Sequence, residues 1–367
     1  MSFRERLQEL LSKQRLPPAE YITSYRRLLD LNGYLSWEDT VQAMRLLMAG
    51  TTRESEALLF LRSFRPEIAT GPMLAAAAGV LQEVAPRIPH HEENVFDCVG
   101  TGGDRLGLFN LSTLAGLVVA TAGVPVAKHG NRAITSQSGS ADLLEKLGIP
   151  IENSPQEVAE ALKKNRRFAF LFAPLYHKAT KNVQPLRKKL SEEGVPTLFN
   201  LLGPLSNPAR PTHMVVGAYR PEFLRPMVEA LQLLGVHRAW VVCGSAGESG
   251  WMDEVSLCGP TKVVELLEGG DSEEFQIDPE AFGLEGVPLE SLKGGTSEHN
   301  LDLAKRVLSG EDSALTNAVC ANAAVGLYLT GKAASVIVGC EMARELLSSG
   351  KVEKRVGKLA RKPAAVN

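Results

Sequence analysis

Residues 95–148 read VFDCVGTGGDRLGLFNLSTLAGLVVATAGVPVAKHGNRAITSQSGSADLLEKLG, and this stretch decides the fold. Its apolar run Val95–Val99 ends abruptly in Gly100-Thr101-Gly102-Gly103-Asp104, and a helix-like segment opens near Asn110-Leu111-Ser112-Thr113. The order of strand, glycine loop and helix lets backbone N–H groups approach a ligand closely, and the helix N-terminus adds about half a positive charge. The pattern predicts a binding site for a phosphate or pyrophosphate group.

Two further loops follow the same plan. Apolar spacing predicts a helix from Ser112 to Ala122 and then a strand from Val124 to Ala127. This strand leads to the polar cluster Lys128–Arg132, and a third polar loop, Thr135–Ser140, precedes another helix. Because open α/β sheets bind ligands at the carboxyl ends of their strands, we expect the three loops to converge on one cleft.

The composition is that of an ordinary soluble globular protein. The 367 residues are 44% hydrophobic and 22% charged, enough for one large domain and a smaller one. A formal net charge of -2 argues against nonspecific nucleic-acid binding. The five cysteines are widely spaced and are expected to be reduced core thiols. The charged N-terminal stretch, and the lack of an apolar run of about 18 residues, predict a cytoplasmic protein without membrane segments.

Changes of pattern along the chain predict four segments. Residues 1–22 form an N-terminal arm, and residues 23–90 form a helical domain because their apolar residues recur at steps of three and four. Residues 91–350 alternate strands and helices, which predicts a larger α/β domain with a mostly parallel sheet. Some of its helices could pack back on the helical domain. Residues 351–367 form a basic tail.

Later in the chain, turn and cap signals place further elements. The sequence Ser154-Pro155-x-Glu157 is typical of a helix start, and Phe168–Phe172 is typical of a buried strand. We interpret Thr197–Gly203 and Met214–Tyr219 as strand or loop pieces. These assignments continue the alternating α/β pattern.

A last strand, Ala239–Cys243, leads into the glycine-rich loop Gly244–Gly250 and then to Asp253 and Glu254. An adjacent Asp-Glu pair is usually exposed and without function. Beyond the end of a strand, and with a pyrophosphate site elsewhere in the chain, the same pair suits Mg²⁺ held jointly with substrate phosphates.

Six motifs in a fixed order carry a resemblance to a known family: GTGGD at 100–104, NLST at 110–113, KHGNRA at 128–133, SGSADLLEKLG at 138–148, FNLLGPLSNPA at 199–209 and Asp253-Glu254. With these motifs the chain resembles the anthranilate phosphoribosyltransferases over roughly residues 25–350. The resemblance implies a nucleoside phosphorylase class II-like fold, with a small helical domain, a larger α/β domain and a homodimer built through the helical domain.

The resemblance also implies a reaction, the transfer of a phosphoribosyl group from phosphoribosyl pyrophosphate to anthranilate in tryptophan biosynthesis. Catalysis would be mostly positioning and electrostatics, with no catalytic residue assigned. The residues implied to bind phosphoribosyl pyrophosphate are Gly100, Thr101, Gly102, Gly103, Asp104, Asn110, Ser112, Thr113, Lys128 and Ser140. Those implied to bind anthranilate are Gly100, Asn131, His177 and Arg187. The implied Mg²⁺ ligands are Ser112, Asp253 and Glu254.

The chain departs from the family pattern at several positions. Arg105 stands where glycine is usual, and Leu108 stands where threonine is usual. Thr180 replaces a usual methionine and Pro196 a usual arginine, and two residues are inserted near Ser191–Glu193. Two alternatives therefore stay open: a related phosphoribosyltransferase that acts on another aromatic acceptor, and a catalytically silent homologue that binds a nucleotide or a nucleic acid.

Overall fold

The computed structural model describes residues 18–133 and 137–360. Its first elements along the chain are four helices that form one layer. The helices are α1 (Tyr21–Asn32), α2 (Trp37–Ala49), α3 (Glu54–Ser63) and α4 (Gly71–Val84). Ser36 caps α2 by accepting the Asp39 N–H at 3.1 Å, and Thr70 caps α4 by accepting the Met73 N–H at 3.3 Å. Residues 1–17 of the predicted arm lie outside the described part of the chain, and α1 begins within the last residues of that predicted segment.

One eight-stranded sheet follows the helical layer. Its strands are β1 (Phe96–Gly100), β2 (Val126–Gly130), β3 (Phe168–Phe172), β4 (His213–Gly217), β5 (Arg238–Ser245), β6 (Trp251–Met252), β7 (Thr261–Leu266) and β8 (Ser272–Ile277). The spatial order is β3-β2-β1-β4-β5-β7-β8, with β6 paired to β5. Strands β1 to β5 run parallel, and β6, β7 and β8 are antiparallel to their neighbours. The predicted mostly parallel sheet is confirmed.

The remaining helices connect and cover the strands. They are α5 (Leu111–Thr121), α6 (Ser140–Lys146), α7 (Pro155–Leu162), α8 (Ala173–Tyr176), α9 (Gln184–Glu192), α10 (Phe199–Leu205), α11 (Leu224–Leu233), α12 (Ser297–Leu308), α13 (Ala314–Leu329), α14 (Val336–Ser348) and α15 (Lys351–Leu359). Ser154 and Glu157 form the predicted capping box at the start of α7. The interpretation of 197–203 as a strand or loop piece is wrong, because α10 occupies most of it and buries Phe199 and Leu202.

The two largest apolar cores among the described residues lie on opposite faces of the sheet. On one face, α9, α10 and α11 pack with the first helical layer, and residues such as Phe60, Met227 and Val216 share one cluster. On the other face, α5, α13 and α14 pack together with residues such as Phe96 and Val319. Helix α15 joins this second core through Val352, Val356 and Leu359, so the described part of the basic tail is anchored on one side.

The sheet brings the ends of its parallel strands to one edge. The glycine loop leaves β1 there, the Lys128–Arg132 cluster ends β2, and His177 follows β3 by way of α8. Asp253 and Glu254 follow β6, which pairs with the end of β5. No helix in the described ranges is long and apolar enough to span a bilayer.

Candidate active site

The glycine loop lies directly against the Asp253 carboxylate. The Gly102 N–H donates to Asp253 Oδ2 at 2.6 Å. A Cβ added at Gly100 would lie 2.2 Å from the same oxygen, so only glycine leaves room for this carboxylate. The β1 loop and the 253–254 pair, which the sequence places about 150 residues apart, therefore form one site.

Neighbouring backbone holds the rest of the loop. The Thr101 N–H donates to the Gly217 carbonyl at 2.9 Å, and Thr101 Oγ1 accepts the Tyr219 N–H at 3.2 Å. The Tyr219 ring lies beside Gly103, which adopts φ +117°. A side chain other than glycine would be strained at that φ. The loop conformation is thus fixed by β4 and by the residues that follow it.

Glu254 occupies the other side of the site, at the start of α5. Its Oε1 accepts the Ser112 N–H at 3.3 Å. Lys128 is only 1% exposed, and its Nζ donates to the Cys98 carbonyl at 2.6 Å and to Ser112 Oγ at 3.3 Å. Thr113 is buried, and its hydroxyl has no hydrogen-bond partner among the described residues. Ser112, Lys128 and Glu254 therefore meet at one point.

The carboxyl groups of this site are poised to meet a cation. Burial raises the pKa of Asp253 well above its usual range, and the nearby charges of Asp104 and Glu254 raise it further. Burial raises the pKa of Glu254 to about 7, although the Lys128 ammonium opposes that rise. The carboxyl groups of Asp253 and Glu254, with the charge of Asp104 nearby, thus outnumber the one ammonium group of Lys128, and a bound cation would relieve the imbalance.

The donor set fits Mg²⁺ in particular. It consists of carboxylate and hydroxyl oxygens, the hard ligands that Mg²⁺ prefers. Within residues 18–133 and 137–360, no three His, Cys, Asp or Glu side chains converge as a metal cage. Mg²⁺ commonly takes one or two carboxylates and fills its remaining positions with water and substrate phosphate, so an incomplete protein shell is what a shared site needs.

The described part of the third polar loop, residues 137–140, lies next to Asn110, which follows the glycine loop. Asn110 Nδ2 donates to the Ser138 carbonyl at 3.2 Å, and Ser140 Oγ donates to the Asn131 carbonyl at 3.2 Å. The structure thus brings the predicted ligands Asn110, Ser140 and Asn131 to one end of the cleft. Residues 134–136, which include part of the predicted loop Thr135–Ser140, lie outside the described residues.

His177 packs against the end of β2. Its imidazole ring meets that of His129 edge to face, with 5.1 Å between ring centroids. His129 Nδ1 lies 3.2 Å from the Gly203 carbonyl oxygen. Burial lowers the pKa of His177 to about 4 and that of His129 to about 3. Both rings are therefore neutral at pH 7.

Arg187 is a largely enclosed cation. Its guanidinium stacks on the Phe199 ring at 4.8 Å, and burial lowers the pKa of Arg187 to about 10. Among the described residues, its Nε has no hydrogen-bond partner and no carboxylate forms an ion pair with it. A guanidinium held in this way is a ready partner for the carboxylate of a small ligand.

The departures from the family pattern have separate structural settings. Arg105 is exposed and adopts φ +57°, a conformation that favours glycine. Leu108 is half-buried against the core and bridges to Lys293. Thr180 Oγ1 donates to the His177 carbonyl at 2.7 Å. In the inserted segment, Glu193 forms an ion pair with Arg62 of the helical layer.

Sequence reasoning missed Asp97, a fully buried carboxyl group behind the cleft. Its oxygens accept the His129 N–H at 3.3 Å and Asn207 Nδ2 at 2.8 Å. Burial raises the pKa of Asp97 to about 6. An acidic residue inside the apolar run Val95–Val99 was the signal that could have revealed it.

Comparison with known proteins extends the similarity to most of the chain. The model of the "Glycosyl transferase family, a/b domain" matches residues 92–353. The anthranilate phosphoribosyltransferase of Thermus thermophilus is 45% identical over 326 residues, which cover 87% of this chain and 93% of that protein. A crystal structure of the Thermus thermophilus enzyme superposes with a TM-score of 0.83 at 43% identity, over 92% of this chain and 98% of the other. The Saccharomyces cerevisiae enzyme in complex with PRPP and Mg gives a TM-score of 0.80 at 27% identity, over 93% and 97% of the two chains.

Proposed function

Because this chain belongs to the anthranilate phosphoribosyltransferase family, we infer that it transfers the phosphoribosyl group of phosphoribosyl pyrophosphate to anthranilate, releasing pyrophosphate. The observation that carries this assignment is the meeting of the Asp253–Glu254 pair with the glycine loop at Gly102 and with Ser112. Backbone donors, an ammonium group and two carboxylates are together what a metal-bound diphosphate requires.

The diphosphate lies across the loops that end β1 and β2. The residues that bind phosphoribosyl pyrophosphate in this proposal are Gly100, Thr101, Gly102, Gly103, Asp104, Asn110, Ser112, Thr113, Lys128 and Ser140. The buried position of Lys128 supports its role, because a cation in a low-dielectric site interacts strongly with phosphate. Asp104 places a negative charge beside Asp253, and this charge favours the metal ion that binds together with the diphosphate.

Ser112, Asp253 and Glu254 would hold Mg²⁺ here. The hydrogen bond between the Ser112 N–H and Glu254 Oε1, and the raised pKa values of both carboxyl groups, support this placement. When bound, the ion supplies positive charge to the departing pyrophosphate.

Anthranilate enters from the side of α8 and α9. Arg187 pairs with its carboxylate, and Gly100, Asn131 and His177 line its path. The absence of a counter-charge for Arg187 among the described residues supports this assignment. The neutral His177 ring adds a polar surface that does not compete with Arg187 for the carboxylate.

In the reaction, the C1–O bond to pyrophosphate breaks and its electron pair leaves with the oxygen. The lone pair of the anthranilate amine forms the new N–C1 bond, and the amine nitrogen then releases a proton to solvent water. Positive character develops on the ribose while negative charge grows on the leaving group. Lys128 and the backbone N–H groups stabilise that negative charge, and Arg187 orients the amine. No covalent enzyme intermediate is required.

The assembly that we propose is a homodimer formed through the helical layer. Five large apolar side chains of this layer are exposed to solvent: Tyr21, Leu31, Tyr34, Leu59 and Val84. Leu31, near the end of α1, is the most exposed of them at 82%. An apolar group of this kind on one layer supports burial against a second copy.

The test is anthranilate consumption, followed by its fluorescence in the presence of phosphoribosyl pyrophosphate and Mg²⁺. Asp253→Asn/Glu254→Gln should reduce turnover to background, because both carboxylates of the metal site are lost. The matched control is Glu273→Gln/Glu274→Gln, another adjacent pair, exposed on β8 and distant in the fold. The control should turn over anthranilate like the wild type. Turnover retained in the first double variant would refute the metal assignment, and a wild type without turnover would refute the acceptor.

A further inference from the structure

The segment before α12 lies along the glycine loop. The Phe109 N–H donates to the Leu292 carbonyl at 2.9 Å, and the Gly294 N–H donates to the Gly107 carbonyl at 2.9 Å. Together with the isolated antiparallel bridge between Leu108 and Lys293, these bonds pair the backbone of residues 292–294 with that of residues 107–109. Residues far along the chain therefore touch the phosphate-binding region.

A relay of side-chain amides continues this contact into the cleft. The Gly295 N–H donates to Asn300 Oδ1 at 2.7 Å, and Asn300 Nδ2 donates to Asn110 Oδ1 at 3.1 Å. Asn110 Nδ2 in turn donates to the Ser138 carbonyl at 3.2 Å. Asn300 is only 1% exposed, so water does not compete for these bonds. The relay joins three segments that are separate in sequence.

Backbone groups at both ends fix the direction of the relay. The Gly295 N–H can only donate, so the oxygen of Asn300 faces it and the nitrogen faces Asn110. The Ser138 carbonyl can only accept, so the nitrogen of Asn110 faces it and the oxygen faces Asn300. Neither amide can turn over without placing two donors or two acceptors in contact.

This polarity determines what Asn110 can offer a ligand. Asn110 occupies the N-cap position of α5, but its side chain caps none of the helix N–H groups. Its oxygen accepts from Asn300 and one of its N–H groups donates to the Ser138 carbonyl, so among the described residues its second N–H has no partner and can donate to a ligand. A donor suits a phosphate oxygen, whereas a turned amide would present a carbonyl oxygen and repel the anion.

We propose that Asn300 is a positioning residue that holds the Asn110 amide with its N–H₂ group directed to phosphoribosyl pyrophosphate. The inference rests on the proposed function in one respect, namely that Asn110 binds this substrate. Asn300 itself touches Asn110 and the Gly295 backbone, and it acts on the substrate through Asn110.

The conservative variant Asn300→Asp separates polarity from packing. The carboxylate keeps an acceptor for the Gly295 N–H and nearly the same shape, but it replaces the donor that faces Asn110 with an oxygen. Two acceptors then meet, and Asn110 must turn or withdraw. We expect the Kd for phosphoribosyl pyrophosphate with Mg²⁺, measured by calorimetry without anthranilate, to rise about tenfold or more. The KM for anthranilate should change less than about twofold, since no hydrogen bond among residues 18–133 and 137–360 joins the relay to Arg187.

Two comparisons keep the result interpretable. Val307→Ala removes a buried apolar group from the same helix, and it should lower stability while the Kd stays at the wild-type value. In the background of Asn110→Ala, the further change Asn300→Ala should alter the Kd by less than about twofold, because the group through which Asn300 acts is already gone. The Ala variants also serve if Asn300→Asp does not fold.

Three outcomes would overturn the proposal: an unchanged Kd in Asn300→Asp, an equal rise in Val307→Ala, or additive effects in the double variant. A wild type that binds phosphoribosyl pyrophosphate while Asn300→Asp binds it equally well leaves the proposed function intact and rejects the relay. A wild type that does not bind phosphoribosyl pyrophosphate rejects both.

Discussion

Gly217→Ala tests whether the close approach of β4 to Asp253 sets the geometry of the metal site. A Cβ added at Gly217 would lie 1.7 Å from the Asp253 carbonyl oxygen and 2.3 Å from its carbonyl carbon. Gly217 does not adopt a left-handed φ, so alanine brings no backbone strain of its own. The methyl group is therefore the whole perturbation.

The size of the effect follows from these distances. The atoms that clash belong to the Asp253 backbone, so rotating a side chain cannot relieve the overlap, and the segment has to retreat by roughly 1.5 Å. A misplacement of about 1 Å in a positioned group costs about 100-fold in rate, and we expect kcat/KM to fall by that factor. The Mg²⁺ concentration for half-maximal rate should rise about tenfold or more. Overpacking should also cost about 1–3 kcal/mol of stability.

The assay is loss of anthranilate fluorescence at saturating phosphoribosyl pyrophosphate across a Mg²⁺ titration, with urea unfolding measured alongside. Gly357→Ala is the matched control, because a Cβ at Gly357 in α15 meets no atom within 4 Å. That variant should keep wild-type activity and gain up to about 1 kcal/mol, as alanine favours a helix. Wild-type kcat/KM and Mg²⁺ dependence in Gly217→Ala would refute the reasoning.

Two further predictions concern the acceptor side. Arg187→Gln should raise the KM for anthranilate roughly 10- to 100-fold, because it removes a charge-assisted pair with the acceptor. The Kd for phosphoribosyl pyrophosphate should stay near its wild-type value. Steady-state kinetics and calorimetry measure the two constants, and equal effects on both ligands would contradict the prediction. Burial lowers the pKa of His177 in the folded protein to about 4, below its value of about 6.5 in the unfolded chain. The stability that the neutral ring provides is therefore present above pH 6.5 and is lost as the pH falls toward 4. Between pH 7 and pH 5 the wild type should lose about 2 kcal/mol more unfolding free energy than His177→Asn, measured by urea titration. Parallel losses in the two proteins would argue against a buried neutral ring.

The part of the site that could be predicted from sequence depends on local pattern. The glycine loop and the Lys128–Arg132 cluster each follow an apolar run, and parallel strands deliver such loops to one edge. The same reasoning placed Asp253 and Glu254 beyond a strand end. Contacts between the Gly102 N–H and Asp253 Oδ2, and between the Ser112 N–H and Glu254 Oε1, then join loops whose proximity the topology implies.

Other elements gave weaker patterns for identifiable reasons. Phe199–Leu205 is a short apolar run, and periodicity does not separate a buried strand from a buried helix at that length. Ser272–Ile277 is an edge strand whose outer residues are mostly exposed, so it lacks the apolar alternation of a half-buried strand. Residues 292–294 pair with residues 107–109 through backbone hydrogen bonds, and such bonds leave no trace in the side-chain pattern.

Buried amides explain why the inner support of the cleft escapes sequence reasoning. Asn207 donates a hydrogen bond to Asp97, and Asn300 donates one to Asn110. Asn322 accepts the Val255 N–H and donates to the Val255 carbonyl, each at 3.1 Å. An additional carboxylate at these positions would add negative charge beside the metal pair and the diphosphate, and a lysine would compete with the metal. An amide supplies a donor and an acceptor without either cost. Asparagine is also common in turns and helix caps, so its presence in a sequence does not identify a buried supporting amide. The charged residues that line the cleft are thus visible in the sequence, while the buried Asp97 and the amides that support the cleft from behind become visible only in the fold.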